Sequence, residues 1–300
     1  MNPLVSVIIP TCANAARAPL LRRALLSLLR NQDGLVLPVV AVNGSSYLPE
    51  VLNELRSRRD IRCLYMEKAS TTGARLAARK VVDTEFFGML DDDDEYLPGG
   101  IKVQIDPMLG DPSIDAVVTN GYRREHGEDT LHFPAFSTFQ RDPLSSLMEW
   151  PWLNSGGLLC RSATVSSSYL EVPRSMELTY MAIKLALSRK LRFIDTPTYR
   201  WHRDTPEPLS KSKYYMEGAP NGIGRMIALN PPARIKRCLA RKHSATLHFL
   251  SDWERMDGNY HAAWRYHLRS LLSPYGIKYL PYTRHLVRFT SSAEVRPLVR

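Results

Sequence analysis

The sequence predicts an α/β fold, in which a mainly parallel sheet carries flanking helices and a helical appendage follows at the C-terminal end. The first observation is an alternation over the first ninety residues, where short apolar runs are each followed by a segment with apolar residues at helical spacing. The second is composition, because 300 residues with 44% hydrophobic side chains suffice for a substantial core. The third is helical periodicity in the C-terminal region.

The elements alternate regularly through the first ninety residues. The predicted strands are 4–9, 36–42, 61–66 and 86–90, and the predicted helices are 20–29, 49–59 and 71–82. Strands that alternate with helices form parallel sheets. In such sheets ligands bind outside the carboxyl ends of the strands, where the connecting loops meet. We therefore expect functional side chains just after the strands.

Charge is distributed unevenly along the chain. The formal net charge is +10, and residues 234–300 hold 13 Lys and Arg against 4 Asp and Glu, so +9 lies there and +1 lies in residues 1–233. Pro231 and Pro232 open this basic region, and proline resists continuing a helix or a central strand. We therefore predict a main α/β domain at residues 1–230 and a basic helical region at residues 231–300.

Cysteine usage and hydropathy bear on the compartment. Cys12, Cys63, Cys160 and Cys238 form no CxxC pair or Cys/His spacing that would hold zinc, which predicts free thiols in a reducing compartment. The start of the chain lacks the basic n-region of a secretory signal, and no stretch approaches the roughly eighteen apolar residues of a membrane span. The predicted location is cytoplasmic, either soluble or peripheral at a membrane.

The most unusual stretch is FFGMLDDDDEYL, in which Asp91 to Asp94 follow a predicted buried strand and Glu95 comes next. Adjacent carboxylates repel one another and need a compensating cation or several donors. Acidic runs are usually solvated loops, but a position at the end of a buried strand favours a site. Clustered carboxylates suit a hard divalent cation such as Mn²⁺ or Mg²⁺, which is typically shared with phosphate groups.

Three other uses of the acidic stretch fit the sequence less well. A calcium-binding EF-hand loop that began at Asp91 would need Gly and a carboxylate at the positions of Tyr96 and Lys102. A phosphatase that forms an aspartyl phosphate would usually have Thr or Val at the position of Glu95. A sugar nucleotidyltransferase would need a Gly-rich turn after the first strand, and IIPTCANAARA contains no Gly.

Several motifs, taken in order, resemble those of the family 2 glycosyltransferases, which have the A-type glycosyltransferase fold. They are VSVIIPT at Val5–Thr11, a strand ending in AVNGSS, GARLAARK, MLDDDDEYLPGG, NSGGLLCR, SMELTYMAIKLA and YRWH. The resemblance implies that residues 1–230 are the catalytic domain of a metal-dependent enzyme. Such an enzyme transfers a sugar, with inversion, from a nucleotide-sugar donor to a hydroxyl of a glycan or a lipid-linked acceptor. A UDP-sugar is the favoured donor.

The resemblance also implies nucleotide contacts from residues near the strand ends. The expected contacts are Pro10, Thr11, Asn43, Arg75, Arg79, Asp91 and Asp92. Asn43 stands where the family usually has Asp, and its amide can both accept from and donate to a pyrimidine base. Arg75 and Arg79 are one helical turn apart and share a face, so a solvent-facing pair is the alternative.

For the metal, the resemblance implies a ligand at Asp93, the outer position of a DxD signature that begins at Asp91. A second ligand is expected at His202, which follows a predicted strand, since neutral imidazole also binds manganese. If the register slips by one residue, Asp92 and Asp94 take the two signature positions. The metal would stabilise the charge that develops on the departing nucleoside diphosphate.

The resemblance places the general base of the reaction at Glu177, at the start of the helix in SMELTYMAIKLA. The family commonly has a second carboxylate next to it, where this chain has Leu178. A carboxylate at a helix start also complements the helix dipole, so a structural role is the alternative. If Glu177 has only that structural role, the alternative function is a catalytically silent module of the same fold that binds nucleotide sugars or glycans.

Two helical stripes in the basic region, from Leu247 to Met256 and from Tyr260 to Leu271, predict a helical hairpin with its Lys and Arg residues outside. Such a surface would attract anionic lipid headgroups or nucleic acid. Because no nucleic-acid motif is present, we predict no nucleic-acid partner and a peripheral position on the inner face of the cell membrane. Residues 203–224, rich in Pro, Gly, Ser and charge, are predicted to form a mobile loop.

Overall fold

The computed structural model describes residues 3–205 and 212–287. By its contacts the chain divides into two compact units, Met1–Val172 with Glu177–Pro208, and Pro173–Met176 with Leu209–Arg300. The boundary predicted between residues 230 and 231 therefore falls inside the second unit.

In the first unit, strands and helices alternate as predicted over the first ninety residues. The strands are β1 Val5–Thr11, β2 Val36–Asn43, β3 Arg62–Met66, β4 Phe86–Met89, β5 Glu95–Tyr96, β6 Ala116–Glu125, β7 Glu128–Leu131, β8 Leu158–Arg161 and β9 Leu191–His202. The helices are α1 Ala18–Leu29, α2 Pro49–Ser57, α3 Thr71–Lys80, α4 Gly100–Gly110, α5 Pro143–Glu149 and α6 Glu177–Ser188. The four strands and three helices predicted up to residue 90 are confirmed, with ends that differ by at most two residues.

The strands form one sheet in the order β3-β2-β1-β4-β8-β6-β9-β5, with β7 paired to β6. β1 lies between β2 and β4 and is parallel to both, while β8 is antiparallel to its neighbours. All seven residues of β1 are buried, which explains the nearly continuous apolar run VSVIIPT. The chain passes from β1 to β2 and β3 and then returns to β4 on the other side of β1. Ligands of parallel sheets bind at such a switch point.

Two helices, α1 and α3, lie next to this switch point. α1 buries an apolar face that includes Leu21, Leu25 and Leu28. α3 is capped by Ser70, whose Oγ accepts a hydrogen bond from Gly73 N at 3.0 Å. The buried face of α3 carries two arginines, Arg75 and Arg79, beside its alanines.

The second unit is helical in its described residues. Its helices are α7 Lys213–Ala228, α8 Ala233–Met256, α9 Tyr260–Leu272 and α10 Thr283–Val287, with a 3₁₀ helix at Ile277–Tyr282. The predicted hairpin of α8 and α9 is present, and Gly258, with φ of +78°, lies in its turn. Leu247 and Leu250 of α8 form a buried cluster with Tyr266 of α9. No helix in the described parts of the chain combines the length and apolarity of a bilayer span.

The mobile loop predicted at residues 203–224 is wrong where it overlaps α7, and its residues 206–211 lie outside the described residues. Two glycines of α7 pack closely against Ser175. A Cβ on Gly218 would lie 2.2 Å from Ser175 Oγ, and one on Gly222 would lie 2.6 Å from Ser175 O. The pattern of Gly and Pro indicated flexibility from composition alone, whereas here glycine allows two segments to approach each other closely.

Candidate active site

The carboxyl ends of β1 and β4 meet through a buried hydrogen bond. Thr11, the last residue of β1, donates from Oγ1 to Asp92 Oδ2 at 2.6 Å, and the same hydroxyl accepts from Ala13 N at 3.0 Å. Asp92 belongs to the acidic loop, Asp91–Asp94, which directly follows Leu90 and begins two residues after Met89, the end of β4. Thr11 and Asp92 are both buried, so the hydroxyl fixes the loop against the end of the central strand.

Asn43, the last residue of β2, connects three segments at the same edge of the sheet. Its Nδ2 donates to Thr11 O at 3.0 Å, and its Oδ1 accepts from Ser70 N at 2.9 Å. The side chain is buried and its amide bonds the protein backbone on both sides. Asn43 therefore orders the strand ends around the predicted nucleotide site, and the role predicted for it in base recognition remains a prediction.

Arginines compensate the charge of most of the acidic loop. Four carboxylates in and beside it contact at least one guanidinium each: Asp91 with Arg75 at 2.5 Å, Asp92 and Asp93 with Arg17 at 3.1 and 3.2 Å, and Glu95 with Arg23 at 3.2 Å and Arg200 at 3.6 Å. These cations supply the compensation that adjacent carboxylates require. Arg17, Arg23 and Arg200 were not among the predicted site residues, although the arginines of the segment around α1 could have suggested a partner for the acidic loop.

Asp94 is the member of the loop that makes no contact with an arginine within the described residues. Its Oδ1 accepts from His202 N at 3.0 Å, and its buried Oδ2 has no hydrogen-bond partner in the described chain. Burial, together with the charges of Asp91 and Asp93, raises the pKa of Asp94 well above its ordinary value. The neutral form of this carboxyl group is therefore favoured more than in a free aspartate.

Exposure divides the loop into two pairs of carboxylates. The Asp91 and Asp93 side chains are 36% and 19% exposed, whereas Asp92 and Asp94 are buried. One oxygen of Asp93 contacts Arg17, and the other makes no hydrogen bond within residues 3–205 and 212–287. Magnesium and manganese sites shared with phosphates use one or two carboxylates and take their remaining ligands from phosphates and water. Both oxygens of Asp91 are engaged, by Arg75 and Ser155, so Asp93 is the partly exposed carboxylate with an oxygen left for such a ligand.

Arg75 and Arg79 point to different parts of the first unit. Arg75 reaches Asp91 and donates to Ser155 Oγ at 3.2 Å. Arg79 donates to the carbonyl oxygens of Ser162 and Val165 at 2.8 and 2.9 Å, and its guanidinium lies over a phenylalanine ring. Both are buried, so the solvent-facing pair considered as an alternative is excluded. Arg79 therefore stabilises the turn that follows β8, whereas Arg75 is the arginine of the pair that contacts the acidic loop.

Glu177 opens α6 and lies on the same side of the sheet end as the acidic loop. Its Oε1 is 3.9 Å from a guanidinium nitrogen of Arg75, and its side chain is 16% exposed. A small cavity is lined by both of these residues and by Met89, Leu170, Val172, Leu178 and Met181. Leu178, at the position where the family commonly has a second carboxylate, is thus part of an apolar wall.

His202 lies beside the acidic loop, and its ring is engaged there. His202 Nε2 is 2.7 Å from Glu95 Oε1, and this contact is the largest cause of a lowered pKa of Glu95. Among the described residues, one group of three metal-ligating side chains has its ligand atoms within 4.8 Å of one another, and it is Glu125, His126 and Asp204. Glu125 and His126 of that group lie at the connection of β6 and β7, and Asp204, two residues after His202, accepts from His126 N at 2.7 Å.

Comparison with known proteins bears on this arrangement. A model of the family described as glycosyl transferase family 2 matches residues 6–164, just over half of the chain. The chain belongs to glycosyl transferase family 2. It is therefore a glycosyltransferase of the inverting class, and the matched segment contains the central strands and the acidic loop. No curated protein matches the sequence closely enough to count as a relative.

Solved structures share the fold of this family 2 glycosyltransferase. The structure of S. aureus TarS 1-349 in complex with UDP-GlcNAc has a TM-score of 0.60 and 16% identity, and the match covers 85% of this chain and 75% of that one. The complex of S. aureus TarS 1-349 with UDP has a TM-score of 0.56 and 16% identity, with 85% and 74% covered. At this identity the likeness establishes the A-type glycosyltransferase fold.

Proposed function

We propose that this glycosyltransferase transfers a sugar from a UDP-sugar to a hydroxyl of a glycan or lipid-linked acceptor, with a divalent cation at the acidic loop. The observation that carries the proposal is the pair of partly exposed carboxylates, Asp91 and Asp93, at the switch point of the sheet, with Glu177 near Arg75, which contacts Asp91. The two TarS complexes contain UDP and UDP-GlcNAc, which favours a uridine nucleotide as the donor.

The nucleoside would lie along the end of β1. Pro10 and Thr11 form this strand end, and Asn43 holds it to the residue that caps α3. We assign the ribose to Asp91, whose carboxylate reaches solvent, and a supporting role to Asp92, which Thr11 and Arg17 enclose. Asp92 is buried and accepts hydrogen bonds from Thr11 and Arg17, so it would hold the acidic loop in place and not contact the nucleotide.

The cation would bind Asp93, close to the donor diphosphate. When bound, a divalent cation stabilises negative charge on the leaving nucleoside diphosphate. His202 Nε2 contacts Glu95, so Nδ1 is the ring nitrogen that would bind the cation, and the contact with Glu95 would orient the ring. Asp94 has a supporting role, because its Oδ1 accepts a hydrogen bond from the backbone N of His202.

Glu177 is the proposed general base. In the transfer the oxygen of the acceptor hydroxyl attacks the anomeric carbon, the bond from that carbon to the phosphate oxygen breaks, and the hydroxyl proton passes to the Glu177 carboxylate. Arg75 contacts Asp91 and lies near Glu177, so it would keep the base at a fixed distance from the donor end of the site. The apolar wall that includes Leu178 would limit the access of water to the base.

The deciding experiment measures donor binding and turnover separately. Glu177→Gln keeps size and removes basicity, so turnover should fall by about 10²–10⁴-fold, the usual contribution of a general base, while UDP affinity changes little. Glu50→Gln, an exposed carboxylate on α2, is the matched control. A Glu177→Gln enzyme that keeps most of its activity would assign the base to another residue.

Metal use is tested by thermal shift with UDP, in the presence and absence of Mn²⁺. Asp93→Asn should remove the manganese-dependent part of the stabilisation, whereas Asp106→Asn, which alters an exposed pair with Lys102, should retain it. An unchanged shift in the Asp93 variant would contradict the proposed ligand. A wild-type chain that binds UDP-sugars but never turns over would be the silent module.

The location and the acceptor are also proposals. Cys12, Cys63, Cys160 and Cys238 are free thiols, which supports a cytoplasmic location. A lipid-linked acceptor would bring the enzyme to the inner face of the cell membrane, as the charge of the basic region predicts.

A further inference from the structure

The second unit exposes several large apolar side chains in one short run of sequence. Five of them lie between residues 268 and 280, with exposed fractions from 42% to 87%: Leu268, Leu272, Tyr275, Ile277 and Leu280. By contrast, the first unit has seven exposed large apolar side chains, and they are spread over its described residues 3–172 and 177–205. Single exposed apolar residues are normal, whereas a concentration of them marks an interaction surface. We call residues 268–280 the apolar run.

Helical geometry places these side chains in pairs. Leu268 and Leu272 are four residues apart on α9 and so share one face, opposite a buried face that includes Ala263 and Tyr266. Ile277 and Leu280 are three residues apart in the 3₁₀ helix, where such side chains lie one above the other. Each helix therefore presents one apolar pair to solvent.

Cations accompany the apolar run. Arg265 and Arg269 lie on the same exposed face of α9 as its two leucines, and Lys278 is inside the run. The guanidinium of Arg241, on α8, lies 5.0 Å from the ring centroid of Tyr275. Residues 260–287 contain four Lys and Arg and no Asp or Glu, so no acidic neighbour in that segment weakens the attraction to an anionic partner.

We propose that the apolar run and its cations dock on an anionic lipid bilayer. Such a bilayer offers negative headgroups to the arginines and hydrocarbon to the leucines and the isoleucine, as for amphipathic interfacial helices. Nucleic acid would satisfy only the cations, and a second copy of this chain would bring the same positive charges. The inference deepens the proposed function, because it would bring the enzyme to a lipid-linked acceptor. It is tested without donor or acceptor, so its failure would leave the proposed transfer reaction standing.

The test is sedimentation of the full chain with vesicles of phosphatidylcholine alone and of phosphatidylcholine mixed with phosphatidylglycerol. The wild type should bind the mixed vesicles at low salt, be released as salt rises, and bind the neutral vesicles much less. Arg265→Gln with Arg269→Gln should weaken binding about fivefold for each charge, which corresponds to about 1 kcal/mol each.

The apolar contribution needs its own variant. Leu272→Ser with Ile277→Ser should weaken binding to the mixed vesicles by roughly tenfold or more, since partition into lipid scales with buried apolar area. Leu26→Ser with Leu109→Ser, at positions 46% and 52% exposed in the first unit, is the matched control and should bind like the wild type. Circular dichroism of all variants should match the wild type because every replaced side chain is exposed.

Three results would overturn the proposal. The first is a wild type that does not sediment with mixed vesicles at low salt, and the second is equal binding to neutral and mixed vesicles. The third is an apolar variant that binds like the wild type, which would leave only a charged surface. Self-association of the wild type that the apolar variant abolishes, without vesicle binding, would assign the run to a second copy instead.

Discussion

Removing Arg17 from its ion pair with Asp92 should destabilise the first unit far more than breaking a surface ion pair does. Arg17 Nε lies 3.1 Å from Asp92 Oδ2, and a second guanidinium nitrogen contacts Asp92 Oδ1. The two side chains are 25% and 5% exposed. Arg17→Ala would leave a buried carboxylate with the Thr11 hydroxyl as its remaining side-chain donor.

The expected cost follows from that burial. Removing one partner of a buried pair costs about 3–5 kcal/mol, because the other charge stays behind without compensation. Since Arg17 is one quarter exposed, water can partly replace it, and we expect the lower end, about 3 kcal/mol. In a domain of this size that corresponds to a fall in Tm of about 6–12 °C.

The chain offers a matched control in Arg22 and Glu54, which also join α1 to another segment. Their side chains are 52% and 39% exposed, and their closest contact is 2.6 Å. Exposed pairs contribute about 0.2–1 kcal/mol. Arg22→Ala should therefore cost about 1 kcal/mol or less.

The assay is urea unfolding of the wild type, both single variants and the double variant Arg17→Ala with Asp92→Asn. The double variant should recover much of the lost stability, since an unpaired buried amide costs less than an unpaired buried charge. The reasoning would be refuted if Arg17→Ala cost no more than Arg22→Ala, or if Asp92→Asn made the Arg17 variant less stable still.

Two further predictions concern the sheet beyond β4. A Cβ on Gly121 would come within 2.4 Å of the Tyr199 ring, so Gly121→Ala should lower the free energy of unfolding in urea by about 1–3 kcal/mol. Gly110→Ala is the control and should lower it little, because no heavy atom lies within 4 Å of a Cβ there. Equal losses of stability in the two variants would contradict the packing argument. Burial lowers the pKa of His132 to about 4, so the folded protein favours the neutral imidazole. The free energy of unfolding should therefore fall by up to about 3 kcal/mol as pH drops from 6.5 to 4. His132→Gln should flatten that part of the pH profile relative to His126→Gln, at an exposed turn, and identical profiles would disprove it.

Much of the first ninety residues could be predicted from sequence because their signals are local. Helical spacing and apolar runs depend on neighbours a few residues apart, and they gave the alternation of strands and helices up to β4. The acidic loop could be assigned to a strand end for the same reason. β5, β6, β7 and β8 were not predicted from periodicity, and β5 and β8 pair antiparallel with strands distant in sequence.

By itself the sequence determined the fold class, the family motifs and the position of the acidic loop at the end of β4. The tertiary structure alone decided which carboxylates reach solvent and which cations hold the others. Arg17 meets Asp92 across 75 residues, and His202 meets Asp94 across 108. Such contacts depend on how the strands are ordered in the sheet, and periodicity within a segment carries no information about that order. The same strand order gives Arg75 and Arg79 different partners. It brings Asp91 of the acidic loop within reach of Arg75, and the backbone of Ser162, in the turn after β8, within reach of Arg79.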